Sequence, residues 1–385
     1  MSSHFALALQ LVFWVFALVV GYTYIGYPIV ITALARFIRR PVHAASITPS
    51  VSLIIPAHNE ESVMADKLRN SLGLDYPSEQ REIIVVNDSS TDHTAEAVSS
   101  FVEQGVRLLS QPRRQGKIAA LNLAAPQAQG EILVFTDANA LLEPQALRRL
   151  IRNFADPEVG CVGGAKRIRY DGTVPAQGES TYWRYEAHLK RCDSIVGSAI
   201  GAEGALMAIR RDLYRPLAED SLIEDFVLAM RLVEDGWRVM YEPEAIIWEQ
   251  ASPSLAAEWQ RRTRIAAGGF QAIGRLKGML NPFRGMPAFQ YVSHKVMRWL
   301  APFFMIAAFI ANVGLWPFAF YRWTLVLQVL FYLMAVAGYL LTRIGLRWRP
   351  LQLVSYFCFA NATALAGFYR YATRSQPVTW EKARP

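Results

Sequence analysis

A set of long apolar segments limits the fold of this chain more than any other feature. Residues 5–34 are almost wholly apolar and are long enough to cross the roughly 30 Å hydrocarbon layer of a membrane. Three more apolar segments, residues 299–320, 323–341 and 351–369, lie near the carboxyl end. Only a very short loop separates the first two of these, which predicts a helical hairpin. The sequence therefore predicts an integral membrane protein.

Basic residues set the predicted orientation. No lysine or arginine precedes the first apolar segment, whereas Arg36, Arg39 and Arg40 follow it. A signal peptide has the opposite order, so we expect this segment to remain as a membrane helix with residue 36 onwards in the cytoplasm. The last apolar segment, residues 351–369, is interrupted by polar residues and followed by a basic tail. This pattern favours a re-entrant or packed helix and a cytoplasmic tail.

The charge distribution argues against nucleic acid as a partner. The net charge is +8, yet the basic excess flanks the apolar segments and residues 41–254 are acidic overall. Positive loops beside apolar segments are typical of a membrane protein. Residues 255–298 combine arginines with apolar residues at helical spacing, which predicts amphipathic helices on an anionic membrane surface. An ordinary amphipathic helix on the flank of the soluble domain is the alternative.

Residues 41–254 are predicted to form a cytoplasmic α/β domain. Four short apolar segments, at residues 51–56, 82–86, 106–109 and 131–135, alternate with helical stretches. This alternation predicts a mostly parallel, Rossmann-like sheet with helices on both faces. The predicted organisation is an amino-terminal membrane helix (1–40), the α/β domain (41–254), interfacial amphipathic helices (255–298), and carboxyl-terminal membrane helices with a basic tail (299–385).

Polar side chains follow three of the predicted strands. Asn59 and Glu60 follow the first strand, Asp88 the second, and Asp137 with Asn139 the fourth. Ligands bind such sheets beyond the carboxyl ends of the strands. An aspartate with a second oxygen ligand two residues further on suits Mg²⁺ or Mn²⁺ bridging a diphosphate. For this motif alone, a turn whose side chains cap their own backbone is the alternative.

Two further charged groups strengthen the prediction of a binding site. The basic loop at residues 113–117 ends at Lys117, precedes a helix, and is suited to phosphate. Glu224 and Asp225 precede a helix predicted over residues 226–234, and one of them could act as a general base. A capped helix start with no catalytic role is the alternative. Neither a Gly-x-Gly-x-x-Gly motif nor a Walker motif is present, so dinucleotide-binding and P-loop proteins are not expected.

Taken together, these motifs resemble the membrane-bound family 2 glycosyltransferases, which include cellulose, chitin, hyaluronan and poly-N-acetylglucosamine synthases. The likeness covers nearly the whole chain, and its motifs occur in the family's order. They are residues 55–60 (IPAHNE), 86–92 (VNDSSTD), 135–139 (FTDAN), 224–225 (ED) and 260–264 (QRRTR). The last of these is similar to the family's Gln-x-x-Arg-Trp motif shifted by one position, and Ile265 stands where the tryptophan would be.

The resemblance implies a GT-A-like fold and a role for each matching residue. It implies that Asn59, Glu60 and Asp88 bind the uridine and that Lys117 contacts the uracil or diphosphate. Asp137 and Asn139 would ligate Mg²⁺ or Mn²⁺, with Asn139 in place of the more usual second aspartate, and Asp225 beside Glu224 would act as the general base. Arg261 or Arg264 would neutralise the leaving diphosphate, and Gly201 and Glu203 would line the acceptor side.

The implied activity is inverting, metal-dependent sugar transfer at the cytoplasmic face of the bacterial plasma membrane. The expected donor is a nucleotide sugar, in particular a UDP-sugar, and the expected acceptor is a saccharide or lipid-linked saccharide. Membrane lipids are expected as further partners. Three alternatives remain open: a processive polysaccharide synthase with export, transfer to a polyprenyl phosphate, and a non-catalytic nucleotide-sugar sensor or channel. Ile265 offers no aromatic face on which a sugar could stack, which disfavours processive synthesis.

Overall fold

The computed structural model describes residues 2–169, 174–346 and 348–379, with the backbone alone for residues 169 and 174–182. In this part of the chain, eight strands form one sheet between the membrane segments. The strands are β1 Val51–Ala57, β2 Arg81–Asn87, β3 Val106–Ser110, β4 Ile132–Thr136, β5 Leu141–Leu142, β6 Val159–Arg169, β7 Leu206–Arg210 and β8 Arg238–Gln250.

The sheet has the order β3-β2-β1-β4-β7-β6-β8-β5. Strands β3, β2, β1 and β4 are parallel, whereas β7 runs antiparallel to both of its neighbours. The predicted mostly parallel sheet is therefore confirmed. Val51 pairs with Arg81 on one side and with Ile132 on the other, so β1, β2 and β4 end at the same edge. The polar residues that follow these strands consequently meet there.

Burial on both faces explains why the strands are apolar throughout. Along β1, Leu53 and Ile55 pack into one hydrophobic cluster, and Ile54 packs into another on the opposite face. All three side chains are fully buried. Because side chains alternate between faces, a strand covered by helices on both sides needs apolar residues at consecutive positions.

The helices divide into a set around the sheet and a set with membrane-spanning length. They are α1 Ser3–Gly21, α2 Tyr27–Phe37, α3 Glu61–Leu72, α4 Thr94–Ser99, α5 Lys117–Ala124, α6 Ala146–Ile151, α7 Val174–Val196, α8 Glu224–Glu234, α9 Leu255–Arg275, α10 Met286–Tyr291, α11 Met297–Gly314, α12 Ala319–Arg343 and α13 Arg349–Ala372.

Four helices in the described residues are long and apolar enough to cross a membrane: Ser3–Phe37, Met286–Gly314, Ala319–Arg343 and Arg349–Ala372. A π-helical turn at Val292–Val296 joins α10 to α11 without a break. The boundary predicted between residues 298 and 299 therefore falls inside a continuous helix. Apolar residues of this helix begin before its last basic residue, Arg298, so the end of the basic residues does not mark where the helix starts.

Helix α13 packs along α9. The rings of Trp259 and Phe359 lie 5.6 Å apart. A Cβ atom added to Gly367 would lie 2.5 Å from the Cβ of Ala266, so the two helices nearly touch at this glycine. Contacts at both points show that α13 follows α9 rather than standing apart from it. This is the packed arrangement expected for an apolar segment interrupted by polar residues.

Candidate functional site

Lys117 links two carboxylates that are far apart in the sequence. Its ammonium nitrogen lies 2.7 Å from Asp137 Oδ1 and 2.7 Å from Glu224 Oε1. Asp137 follows β4, Glu224 begins α8, and Lys117 begins α5 directly after Gly116. Burial alone would lower the pKa of Lys117, but the two carboxylates together raise it above its ordinary value. A half-buried, firmly charged lysine therefore holds the end of β4 and the start of α8 together.

Asp225 is the second residue of α8 and lies beside this lysine-centred group. Its Oδ1 accepts a hydrogen bond of 2.8 Å from the backbone N–H of Phe226. Burial raises the pKa of Asp225 from 3.8 to about 6, and the negative charge of Glu224 adds to the effect. Burial would also raise the pKa of Glu224, but the adjacent Lys117 outweighs burial and lowers it. Two neighbouring carboxyl groups thus differ in basicity, which suits one of them to accept a proton near neutral pH.

The residues predicted for the acceptor side lie next to Asp225. The charge of Glu203 contributes to the raised pKa of Asp225, and Glu203 Oε2 is 3.6 Å from the ammonium of Lys190. Gly201 has a φ of +91°, and a Cβ there would lie 2.7 Å from the ring of Phe226. The chain between β6 and β7 therefore passes so close to α8 that glycine is required at residue 201.

Asp88 organises the basic loop. Its two carboxylate oxygens accept hydrogen bonds of 2.7 Å from the backbone N–H groups of Gln115 and Gly116. Gly116 has a φ of +91°, a left-handed conformation that turns the loop towards Asp88. Asp88 is thus joined through two backbone groups to the residue that precedes Lys117. Each carboxylate oxygen has a second lone pair and could also accept a hydrogen bond from a nucleobase.

Asn59 and Glu60 lie at the same edge and connect the first two strand-end loops. Asn59 has a φ of +55°, and its Oδ1 accepts a hydrogen bond of 2.8 Å from the backbone N–H of Thr91. The backbone N–H of Glu60 donates to Thr94 Oγ1 over 2.8 Å. Both residues are half-buried. They hold together the two loops that follow β1 and β2.

Asp137 and Asn139 form the candidate metal centre, and their chemistry fits a hard divalent cation. Both side chains are half-buried in the loop after β4. Asp137 already has a cation, the Lys117 ammonium, in contact with one oxygen. No group of three or more His, Cys, Asp or Glu residues suited to a metal occurs in the described residues. Two protein oxygen ligands completed by substrate phosphates are typical of Mg²⁺ and suit Mn²⁺.

The two arginines predicted to face the diphosphate have different surroundings. Arg261 lies 2.8 Å from Glu258, a buried carboxylate one turn earlier in α9. The positive charge of Arg264 instead helps to lower the pKa of Glu224. The structure therefore brings Arg264 towards the group centred on Lys117 and ties Arg261 to its own helix.

The carboxyl-terminal tail also reaches this site, which the sequence did not indicate. The carbonyl oxygen of Val378 accepts a hydrogen bond of 3.3 Å from Arg264. The methyl group of Thr379 would lie 3.7 Å from a Cβ added to Gly116. The tail therefore passes beside both the basic loop and Arg264. Contacts between such distant parts of a chain leave no periodic signal that sequence analysis could detect.

Comparison with known proteins identifies the family. Residues 49–268, more than half of the chain, match the family described as "Glycosyltransferase like family 2". The chain therefore belongs to glycosyltransferase family 2, and the predicted resemblance is confirmed.

Individual relatives agree with this assignment. The chain is 28% identical over 231 residues to poly-beta-1,6-N-acetyl-D-glucosamine synthase of Staphylococcus aureus strain COL. It is 27% identical over 231 residues to the synthase of the same name from Staphylococcus epidermidis. Each match covers 58% of this chain and 56% of the relative, so the chain spans about half the length of these proteins.

A solved structure matches over nearly the full length. It is a mannosyltransferase from Pyrobaculum calidifontis in complex with GDP-Man and Mn²⁺. The TM-score is 0.71 at 23% sequence identity, with 97% of this chain and 99% of that chain covered. At this identity the match establishes the GT-A-like fold, as predicted, together with the arrangement of the long apolar helices.

Proposed function

We propose that this protein is an inverting glycosyltransferase that moves a sugar from a nucleotide-sugar donor to a hydroxyl group of a saccharide or lipid-linked saccharide. The observation that carries the proposal is the Asp225 carboxyl group. It lies next to the Lys117-centred group, it is half-buried, and its pKa is raised to about 6. Such a group is mostly ionised at neutral pH and is more basic than an ordinary aspartate, which suits it to general-base catalysis.

The proposed reaction is a single displacement. Asp225 accepts the proton of the acceptor hydroxyl while that oxygen attacks the anomeric carbon from the face opposite the diphosphate. The bond between the anomeric carbon and the diphosphate oxygen breaks, and the configuration inverts. Mg²⁺ or Mn²⁺ held by Asp137 and Asn139 would supply Lewis-acid stabilisation of the leaving diphosphate. Lys117 and Arg264 add positive charge on the same side.

The binding residues divide into a nucleoside part and a sugar part. Asn59 and Glu60 lie in the loop after β1 and Asp88 in the loop after β2, and we assign the uridine to them. Gly201 and Glu203 lie near the start of α8, and we assign the acceptor to them. Arg261, which is tied to Glu258, supports the position of α9 and leaves Arg264 as the arginine nearer to the diphosphate.

Charge and packing support a cytoplasmic location for the catalytic domain. Arg36, Arg39 and Arg40 follow the first membrane helix on the side of the domain. Helices α11 and α12 would cross the membrane and return. Helix α13 packs on α9, and the tail contacts Arg264, so the basic tail stays on the side of the catalytic domain. This arrangement keeps Arg36, Arg39, Arg40 and the basic tail on one side of the membrane, with Arg322 at the other.

The raised pKa of Asp225 bears on the choice of acceptor. A polyprenyl phosphate is already ionised and needs no base, whereas a sugar hydroxyl must lose a proton during attack. Asp225 therefore favours a hydroxyl acceptor. Ile265, at the position of the tryptophan in the related motif, is 43% exposed and provides no stacking surface. Addition of one or a few sugars is accordingly favoured over processive synthesis with export.

The test uses the full-length protein, purified in detergent, with a panel of UDP- and GDP-sugars in the presence of Mn²⁺ or Mg²⁺. Nucleotide release is measured, and products are identified by mass spectrometry. UDP-N-acetylglucosamine is the first donor to try, because the named relatives are poly-beta-1,6-N-acetyl-D-glucosamine synthases. Absence of release with every donor would support the nucleotide-sugar sensor and contradict the proposal.

Two variants test the assigned roles. Asp225→Asn should lower turnover by about 10²–10⁴-fold while donor affinity stays unchanged, because only the proton acceptor is lost. Asp137→Ala should abolish the metal-dependent part of donor binding. Asp66→Asn is the matched control, since this aspartate is 73% exposed on α3. Full turnover in Asp225→Asn would remove the base from the mechanism.

A further inference from the structure

Lys67, on α3, is a fully buried lysine outside the group of residues described above. Its side chain is 0% exposed. Its ammonium donates hydrogen bonds to Thr136 Oγ1 over 2.8 Å and to the carbonyl oxygen of Ala140 over 2.5 Å. Within the described parts of the chain, no carboxylate comes within ion-pair distance of it. Burying an ammonium group costs free energy unless hydrogen bonds and nearby charges compensate.

The two partners of Lys67 stand on either side of the candidate metal-binding loop. Thr136 is the last residue of β4, and Ala140 comes one residue after Asn139. The turn between them is closed by a hydrogen bond of 3.2 Å from the backbone N–H of Ala140 to the carbonyl oxygen of Asp137. One ammonium group therefore fixes both ends of the segment that carries Asp137 and Asn139.

Packing alone does not explain a lysine at this position. A methionine has nearly the same length and would fill the same space without burying a charge. Burial lowers the pKa of Lys67 to about 7, although the negative charges of Asp137 and Glu249 oppose this effect. The ammonium is thus attracted to the carboxylate that it helps to position.

We propose that Lys67 is a positioning residue that holds the loop of Asp137 and Asn139 in the geometry needed to bind the metal–diphosphate unit of the donor. This inference rests on the proposed function, because it concerns the metal-binding loop of that site. Lys67 acts through the two ends of the loop and does not itself contact the donor. Residues of this kind behind metal ligands typically contribute 10–100-fold to metal affinity.

The same helix offers a matched control. Asn70, one turn after Lys67, donates to the carbonyl oxygen of Leu142 over 2.8 Å and accepts from the N–H of Leu142 over 2.9 Å. It attaches α3 to the chain just beyond the metal-binding loop, at β5. Loss of this attachment should therefore lower stability and leave the geometry of Asp137 intact.

The experiment is a Mn²⁺ titration of the full-length protein in detergent with saturating UDP, followed by the electron paramagnetic resonance signal of free Mn²⁺. We expect Lys67→Met to weaken Mn²⁺ binding by 10–100-fold. Thr136→Val removes only one partner and keeps the side-chain shape, and it should weaken binding by about tenfold, the lower end of the same range. Asn70→Ala should lower the melting temperature and keep the Mn²⁺ affinity of the unmodified protein. Asp137→Ala should abolish binding.

The outcomes separate this inference from the proposed function. Mn²⁺ binding that survives Asp137→Ala would contradict the metal site itself. Loss of binding in Asp137→Ala, together with unchanged affinity in Lys67→Met and Thr136→Val, would overturn only the role of Lys67. If Asn70→Ala weakened Mn²⁺ binding as much as Thr136→Val, loop stability would be the cause and the positioning role would fail. If Lys67→Met did not fold, Thr136→Val and Asn70→Ala would decide the question.

Discussion

Below about pH 6 the proposed reaction should slow about tenfold for each pH unit, because Asp225 must be ionised to accept a proton. Burial and the charge of Glu224 raise its pKa from 3.8 to about 6. For a group with this pKa, about nine-tenths is ionised at pH 7 and about one-tenth at pH 5. An aspartate with its ordinary pKa would remain mostly ionised over the same range. The loss of rate between pH 7 and pH 5 therefore measures the effect of the surroundings on Asp225.

The assay is kcat/KM for the acceptor from pH 4.5 to 8.5, at constant ionic strength and with saturating donor. Protein held at pH 5 and assayed at pH 7.5 separates reversible protonation from acid unfolding. Glu224→Gln supplies the second measurement. This substitution removes the negative neighbour and leaves Lys117 nearby. The acidic limb of the plot of kcat/KM against pH should therefore move to lower pH by on the order of one unit. The plateau rate of this variant will also fall, but the position of the limb does not depend on the plateau.

Two results would refute the reasoning. The first is a rate that stays constant between pH 5 and pH 7, which would mean that no group with the raised pKa of Asp225 controls the reaction. The second is a limb that moves to higher pH in Glu224→Gln. That shift would show that Glu224 does not raise the pKa of Asp225.

Two further predictions concern glycines that permit close approach. Gly204→Ala would place a Cβ 2.9 Å from Asp225 Oδ2. The displaced carboxylate should lower kcat about 10²-fold while donor affinity stays nearly unchanged. Normal turnover of this variant in steady-state kinetics would contradict this geometry. Gly367→Ala would place a Cβ 2.5 Å from that of Ala266 and should destabilise the α9–α13 contact by about 1–3 kcal/mol. Thermal melts in detergent test this, with Gly21→Ala as the control because open space surrounds that residue.

Sequence reasoning located the strand-end residues because the carboxyl ends of parallel strands share one edge. Asp88 and Asp137 lie at that edge for this reason alone. The contact of Lys117 with both Asp137 and Glu224 could not be predicted in the same way, since it depends on how α5 and α8 pack around the sheet. The general likeness to a family indicated only that Lys117 lies near the uracil or the diphosphate.

Lys67 was missed for a different physical reason. A lysine within an amphipathic helix is usually solvated, and nothing in the spacing of α3 distinguishes Lys67 from the exposed charges beside it. Its burial follows from the contact of α3 with the loop after β4, at Thr136 and Ala140. The tail contact at Arg264 is a third such case, because residues 264 and 378 meet only after α13 has packed on α9.

The tail beside the basic loop has a practical consequence for anyone who attaches a label to this protein. The side chain of Thr379 lies beside Gly116, the residue that precedes Lys117. A fluorophore attached at residue 379 would therefore lie close to the basic loop. A fluorophore at this position should report on nucleotide occupancy, whereas a bulky tag belongs at the amino terminus.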